Sequence, residues 1–176
     1  MKKIVSIYFL LYCVFSYAQN EYPQVLSFDV KIKEGNSTDK SNTINETYHF
    51  LMLNSHEAID LRAYGNKECE FKIISHHLNK IILTYNQPSK LIKKGMCAAG
   101  IEKGILYLEL DDDNTILKSQ LHLLESCLLS IEVIKEKKLD ETITEYLLEN
   151  QQTSVSYYLI VNSNNATVTK SIFKTD

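Results

Sequence analysis

The chain has 176 residues and a formal net charge of −3, with 44% hydrophobic and 23% charged residues. That length points to a single domain. The ordinary globular balance excludes a disordered tail, a collagen-like repeat and a multi-span membrane protein, and selects no activity.

Residues 1–18 read as a secretory signal peptide. Lys2 and Lys3 form a positive start, Ile4 to Phe15 is an apolar run broken only by Ser6, and Ser16-Tyr17-Ala18 offers small residues at the −3 and −1 positions. Cleavage is expected before Gln19, leaving an exported domain over 19–176. The run of about a dozen residues is short for a bilayer span. An uncleaved anchor and a lipid on Cys13 are the alternatives, although Tyr12 stands where a lipid-attachment motif needs a small residue. Loss of the leader removes two lysines. The mature chain then carries 17 basic and 22 acidic residues, a net charge of about −5, and its only arginine is Arg62. An acidic, arginine-poor surface argues against nucleic acid as a partner. No later run is long enough to span a membrane.

Several later segments alternate with a period near two, the signature of a half-buried strand. The first places Leu26, Phe28, Val30 and Ile32 on one face. A polar stretch from Glu34 to Asn45 reads as a loop, and Thr47 to Leu53 as the second strand. Glu70 to Ser75 and Lys80 to Tyr85 flank a hairpin connection at His76-His77-Leu78-Asn79. Ile105 to Leu110 is followed by Asp111-Asp112-Asp113-Asn114, a turn into Thr115-Ile116-Leu117. Residues 120–150 are ambiguous. Leu121, Leu124, Leu128 and Ile131 have helical spacing, yet 127–135 also alternates and is read as a strand. Residues 139–150 stay open between strand and a helix capped by Asp140. Val155 to Val161 and Ala166 to Phe173 flank Asn162-Ser163-Asn164-Asn165, where asparagine suits a left-handed turn. The fold expected is mainly β: a single-domain antiparallel sheet or sandwich with at most one helix, α+β being the alternative.

Three cysteines follow the leader: Cys69, Cys97 and Cys127. An oxidising compartment favours one bridge. Cys97–Cys127 is preferred because both lie in the half of the chain with the most distinctive local sequence. The loop it closes, about 30 residues, is worth ~3.5 kcal/mol in the chain-entropy model. Cys69 is then left as a free, buried thiol, with an intermolecular bridge as the alternative. The segment Gly95-Met96-Cys97-Ala98-Ala99-Gly100, a strand, and then Glu125-Ser126-Cys127-Leu128 resembles a group of small exported bacterial proteins. That group has a Cys-Gly-Ala-Gly-like turn and a Ser-Cys-Leu segment 25–30 residues later. The likeness covers residues 95–132, with Ala98 where the pattern has Gly. It implies the Cys97–Cys127 bridge and no activity.

Catalytic and metal patterns are sparse. A nucleophilic Cys97 would need a base and positive surroundings; Lys93 and Lys94 are close in sequence, and His122 serves only if the fold brings it close in space. The five histidines show no H-x-x-x-H or H-E-x-x-H spacing. His49 and His56 with Glu57 meet only if a hairpin brings them together. The acidic run 111–114 lacks the glycine that an EF-hand loop needs, Ile116 standing in its place. No phosphate-binding glycine loop and no nucleophile elbow occurs. Neither a catalytic residue, a metal nor a cofactor is therefore assigned. The expected function is a non-enzymatic exported binding domain acting on a protein partner, such as an inhibitor or immunity-type protein directed at an exported enzyme. A structural envelope protein and a small hydrolase with a carboxylate pair are the alternatives. The expected binding surface is the turn Ala98, Ala99 and Gly100 together with Asp111, Asp112, Asp113 and Asn114. Both flank one strand, and loops on a rigid scaffold commonly carry recognition.

Overall fold

The computed structural model describes residues 22–34, 42–89 and 100–173. The expected leader, most of the 34–45 loop and the residues Cys97, Ala98 and Ala99 lie outside them. Alternating and β-branched segments become eleven strands. These are β1 (Gln24–Glu34), β2 (Asn42–Met52), β3 (Ala58–Asp60), β4 (Glu70–His77), β5 (Lys80–Pro88) and β6 (Ile101–Leu110). They continue with β7 (Ile116–Ser126), β8 (Ile131–Lys138), β9 (Ile143–Asn150), β10 (Val155–Asn162) and β11 (Thr167–Phe173). The mainly β, antiparallel expectation holds. β1–β2–β3 form one sheet, and β4 to β11 form an eight-stranded meander in chain order.

The ambiguous region resolves as strand. Residues 139–150 contain β9, and 127–135 splits into a turn at 127–130 and the start of β8. Among the described residues the only helical segment is a 3₁₀ turn, Leu61–Ala63. Asp140, the supposed helix cap, caps a turn instead. Its Oδ1 accepts from the backbone N–H groups of Thr142 and Ile143, both at 2.7 Å. A carboxylate satisfies exposed N–H groups equally well at a helix start and in a hairpin, so the residue alone does not separate the two. At the last hairpin, Asn162 accepts from Asn164 N at 2.9 Å, while the left-handed residue is Ala166.

The β5–β6 pair is buried on both faces. Ile81 and Leu83 of β5 and Leu106, Leu108 and Leu110 of β6 pack against Leu51, Ile59 and Leu61 from the small sheet and its 3₁₀ turn. On the opposite face, Ile82, Ile105 and Tyr107 meet Leu148, Tyr157, Leu159, Val161 and Ala166 from β9, β10 and the last turn. The meander must therefore fold back on itself, giving three layers around one central pair. The fold-back falls between β7 and β8, which share a single residue pair, Ser126↔Ile131. Neighbouring strands elsewhere in the meander pair over seven residues or more. The Ser75 hydroxyl, on β4, donates to the Ser163 carbonyl oxygen and ties the two leaves together away from that corner.

Gly104 marks the tightest point of the central pair. A Cβ there would collide with the Tyr85 ring and lie 2.5 Å from the His122 carbonyl oxygen. The obstacle is partly backbone, so the site cannot relax by rotating a side chain. Gly104→Ala is expected to destabilise the fold by about 2 kcal/mol, read as a lower urea midpoint with an unchanged slope.

Candidate functional site

The two halves of the expected binding surface sit at opposite ends of β6. Gly100 precedes its first residue and Asp111 follows its last, so about 30 Å of strand separates them. They cannot form one site, and each end has its own construction.

At the Gly100 end the groups serve packing. A Cβ on Gly100 would lie 2.7 Å from the Cys127 Cβ and 3.0 Å from the Ser89 Oγ. Ser89 N donates to the Gly100 carbonyl at 2.9 Å. Glu102 is buried, and its Oε1 accepts from the Ser89 hydroxyl at 2.7 Å and from Leu128 N at 3.4 Å. Cys127 is disulfide-bonded. Cys97, its expected partner, lies outside the described residues together with Ala98 and Ala99. This end therefore holds the 127–130 turn against β6 through a buried carboxylate.

Cys69 is a free thiol with 2% exposure. Gly65 packs directly on it; a Cβ there would lie 2.6 Å from the sulfur. Burial, chiefly, pushes its pKa up to about 11, with Glu70 contributing. A thiol so protonated and covered is a poor nucleophile and a poor partner for an intermolecular bridge.

At the other end of β6, three turns meet around an open concavity of about 320 Å³. The 111–114 turn, the β4–β5 turn at 78–79 and the 53–57 segment line it with Asp111, Asp112, Asn114, His76, Leu78 and Asn54. The turns are braced from within. Asp111 Oδ1 accepts from Thr115 N at 2.8 Å and Asp113 N at 3.0 Å, and its Oδ2 from the Thr115 hydroxyl at 2.5 Å. Asn114 donates to Glu57 Oε2 at 2.7 Å, and Asn54 donates to the same oxygen. Asn79 donates through its side chain to the Leu110 carbonyl at 2.6 Å. These bonds, those from Thr115 first, hold the Asp111 pKa below the usual carboxylate value. A carboxylate kept ionised by its own turn is suited to a fixed negative charge, not to general acid work.

Leu78 stands out at the rim. It is 80% exposed and adopts φ 54, a left-handed conformation costly for a branched, bulky residue. It fills the first position of a two-residue hairpin turn, where glycine is the usual occupant when φ is positive. The connection expected over 76–79 is narrowed to 78–79, His76 and His77 closing β4, and the leucine gives no local signal because its strain is a property of φ and not of composition.

The remaining histidines are dispersed. His49 is buried, hydrogen-bonded to the Ser27 hydroxyl at 2.8 Å and edge-on to Phe71, while His56 is exposed beside Ser55. His49 and His56 thus make separate contacts and form no pair. His122 lies on β7 opposite Ile105. Among the described residues, no group of three or more His, Cys, Asp or Glu side chains is placed to hold a metal ion.

Two outcomes test these assignments. Glu102→Ala strands the Ser89 hydroxyl and Leu128 N–H in a buried site, and should cost about 2 kcal/mol in chemical denaturation. The second concerns pH. Asp111 has a lower pKa folded than unfolded, so the unfolded chain binds its proton first as pH falls. Its contribution is complete above the ordinary carboxylate pKa and is lost as pH drops through the depressed one. Asp111→Asn should therefore flatten the acid limb of a stability-against-pH curve and leave the limb above neutrality unchanged.

Comparison of the chain with protein-family models, curated proteins and solved structures finds no match.

Proposed function

We propose that the chain is an exported, non-enzymatic binding domain, stapled by a Cys97–Cys127 disulfide, that seats on a basic exported enzyme as an inhibitor or immunity-type protein. One observation carries the reading: the strained, solvent-facing Leu78 at the rim of a concavity walled by Asp111 and Asp112. Exposed apolar residues and backbone strain both persist at interaction sites more readily than elsewhere. An apolar anchor ringed by acids fits a partner with an apolar pocket in a positive surface. The bracing within each turn supports the reading, since rigid loops lose little entropy on binding. The leader-like residues 1–18 support export. The bonded Cys127, with Gly100 pressed against it, supports the staple. Against the envelope-structural alternative stands the covered, protonated thiol of Cys69. Against the hydrolase alternative stand the engaged carboxylates: Glu102 serves a turn and Asp111 serves its own loop.

The test is a pull-down with the oxidised chain from Gln19 to Asp176, run on extracts of its own envelope and of competitor bacteria at low and high salt. The expected result is one stoichiometric exported enzyme, released by salt. Leu78→Gly, which suits the left-handed position, should keep stability within about 1 kcal/mol of the parent and abolish capture. Folded protein that captures nothing, or a Leu78→Gly variant that captures as well as the parent, overturns the proposal.

A further inference from the structure

The second core ends in a polar stripe. On β7, Lys118, Gln120 and His122 share a face, opposite Glu109, Tyr107 and Ile105 of β6. That face looks into the fold-back, toward β10 and β11. His122 is half-buried, and its Nε2 is the one buried side-chain nitrogen or oxygen among the described residues that lacks a hydrogen-bond partner. Buried polar atoms are nearly always satisfied, so such an orphan calls for a reason.

Two lysines lie over tyrosines of the same core. The Lys118 ammonium lies 5.8 Å from the Tyr107 ring centre. Lys170, on β11, lies 3.9 Å from the ring centre of Tyr157. The Tyr157 hydroxyl donates to the Leu123 carbonyl at 3.5 Å, which brings the β10–β11 leaf to the residue beside His122. Burial first, then Lys170 and Lys118, lower the His122 pKa, so both ammonium groups are within electrostatic reach of the ring. The ion pairs among the described residues are Arg62–Asp60 and Lys103–Glu125, neither of which involves these lysines. Glu109, across from Lys118 on β6, accepts the Tyr107 hydroxyl at 3.0 Å. Two cations without an ion pair thus face an unpartnered imidazole, in a chain whose net charge is negative.

We propose that the face of β7 turned toward the β10–β11 leaf binds a small oxyanion group, phosphate or sulfate, through Lys118, Lys170 and a proton donated by His122 Nε2. The two tyrosines hold the ammonium groups in place by cation–π contact, so little side-chain freedom is lost on binding. An anion also relieves the mutual repulsion of the two lysines and gives the orphaned nitrogen its partner. The site is separate from the Leu78 rim and does not depend on the reading given for it. Free anion and the phosphoryl or sulfate group of a sugar present the same chemistry.

The experiment is an NMR titration of the mature chain, following the histidine ring resonances, at constant ionic strength set with chloride. The ligands are inorganic phosphate, sulfate, glucose 6-phosphate and glucose. Saturable movement of His122 alone is expected with each anion, and none with glucose. Tighter binding of glucose 6-phosphate identifies a sugar-borne group; equal binding identifies the free anion. Lys118→Gln/Lys170→Gln should weaken binding at least roughly tenfold, the loss of one charge-assisted hydrogen bond. Lys118→Arg/Lys170→Arg should restore it. The His122 pKa should rise in the complex. Absence of saturation at His122, equal movement of all five histidines, or unchanged affinity in the glutamine variant overturns the proposal.

Discussion

The strand pair β5–β6 has no face it can show to water. Along β5, Ile81 and Leu83 point one way and Ile82 the other, all fully buried; along β6, Ile105 and Leu106 do the same. An antiparallel sheet ordinarily leaves one face wet and alternates accordingly. Here the alternation fails at the centre, and two further layers must be supplied. The small sheet of β1–β3 covers one face, and the meander, having too few other partners, covers the second with its own far half. That requirement explains why β7 and β8 part after a single residue pair: a sheet that continued flat would leave Ile82, Ile105 and Tyr107 exposed. Each such side chain is worth about 1.5–3 kcal/mol when buried, more than the ladder bonds surrendered at one corner, because exposed edge groups still bond to water.

Folding a sheet in this way multiplies tight turns, and the polar residues of the chain are largely consumed in closing them. Asp111, Asp140, Asn54, Asn150 and Asn162 each accept backbone N–H groups two to four residues ahead. The side chains that look richest in chemistry on paper are thus already occupied. The acidic run 111–114 is the clearest instance. Asp111 spends both oxygens on its own loop while keeping its charge, and Asn114 reaches Glu57.

β1, β2, β4, β5, β6 and the last hairpin were legible because alternation is a local property, whereas the three-residue β3 is too short to show it. Residues 139–150 were not, since a leucine- and glutamate-rich stretch after an aspartate satisfies helix rules as well as strand rules, and pairing with β8 and β10 decided between them. The positive-φ residues Leu78, Ser130, Ser154 and Ala166 were equally hidden. Glycine or asparagine would have announced those positions; tertiary packing imposed them on residues that do not favour them. The binding surface was half legible. The 111–114 turn does border a concavity, but the inference that a shared strand brings Gly100 to it ignored the length of ten extended residues. What sequence reading missed outright was the juxtaposition of Lys118 and His122 with Lys170. These come from strands some fifty residues apart, joined only by the fold-back, and no local pattern encodes it.

Charge is distributed by the same geometry. The turns at the far end of β6 expose acids because turn chemistry selects Asp and Asn, whereas the strands that face each other across the fold carry lysines at their wet margins, where a long stem can lie on a tyrosine while its ammonium stays solvated. Net charge alone conceals this. A chain at −3 contains an acidic rim around Leu78 and, on the inner face of the fold-back, two lysines beside an imidazole whose nitrogen has no partner. The proposed basic partner and the proposed small anion would meet different side chains, and because the Lys118 and Lys170 side chains are exposed, salt would weaken both contacts by screening.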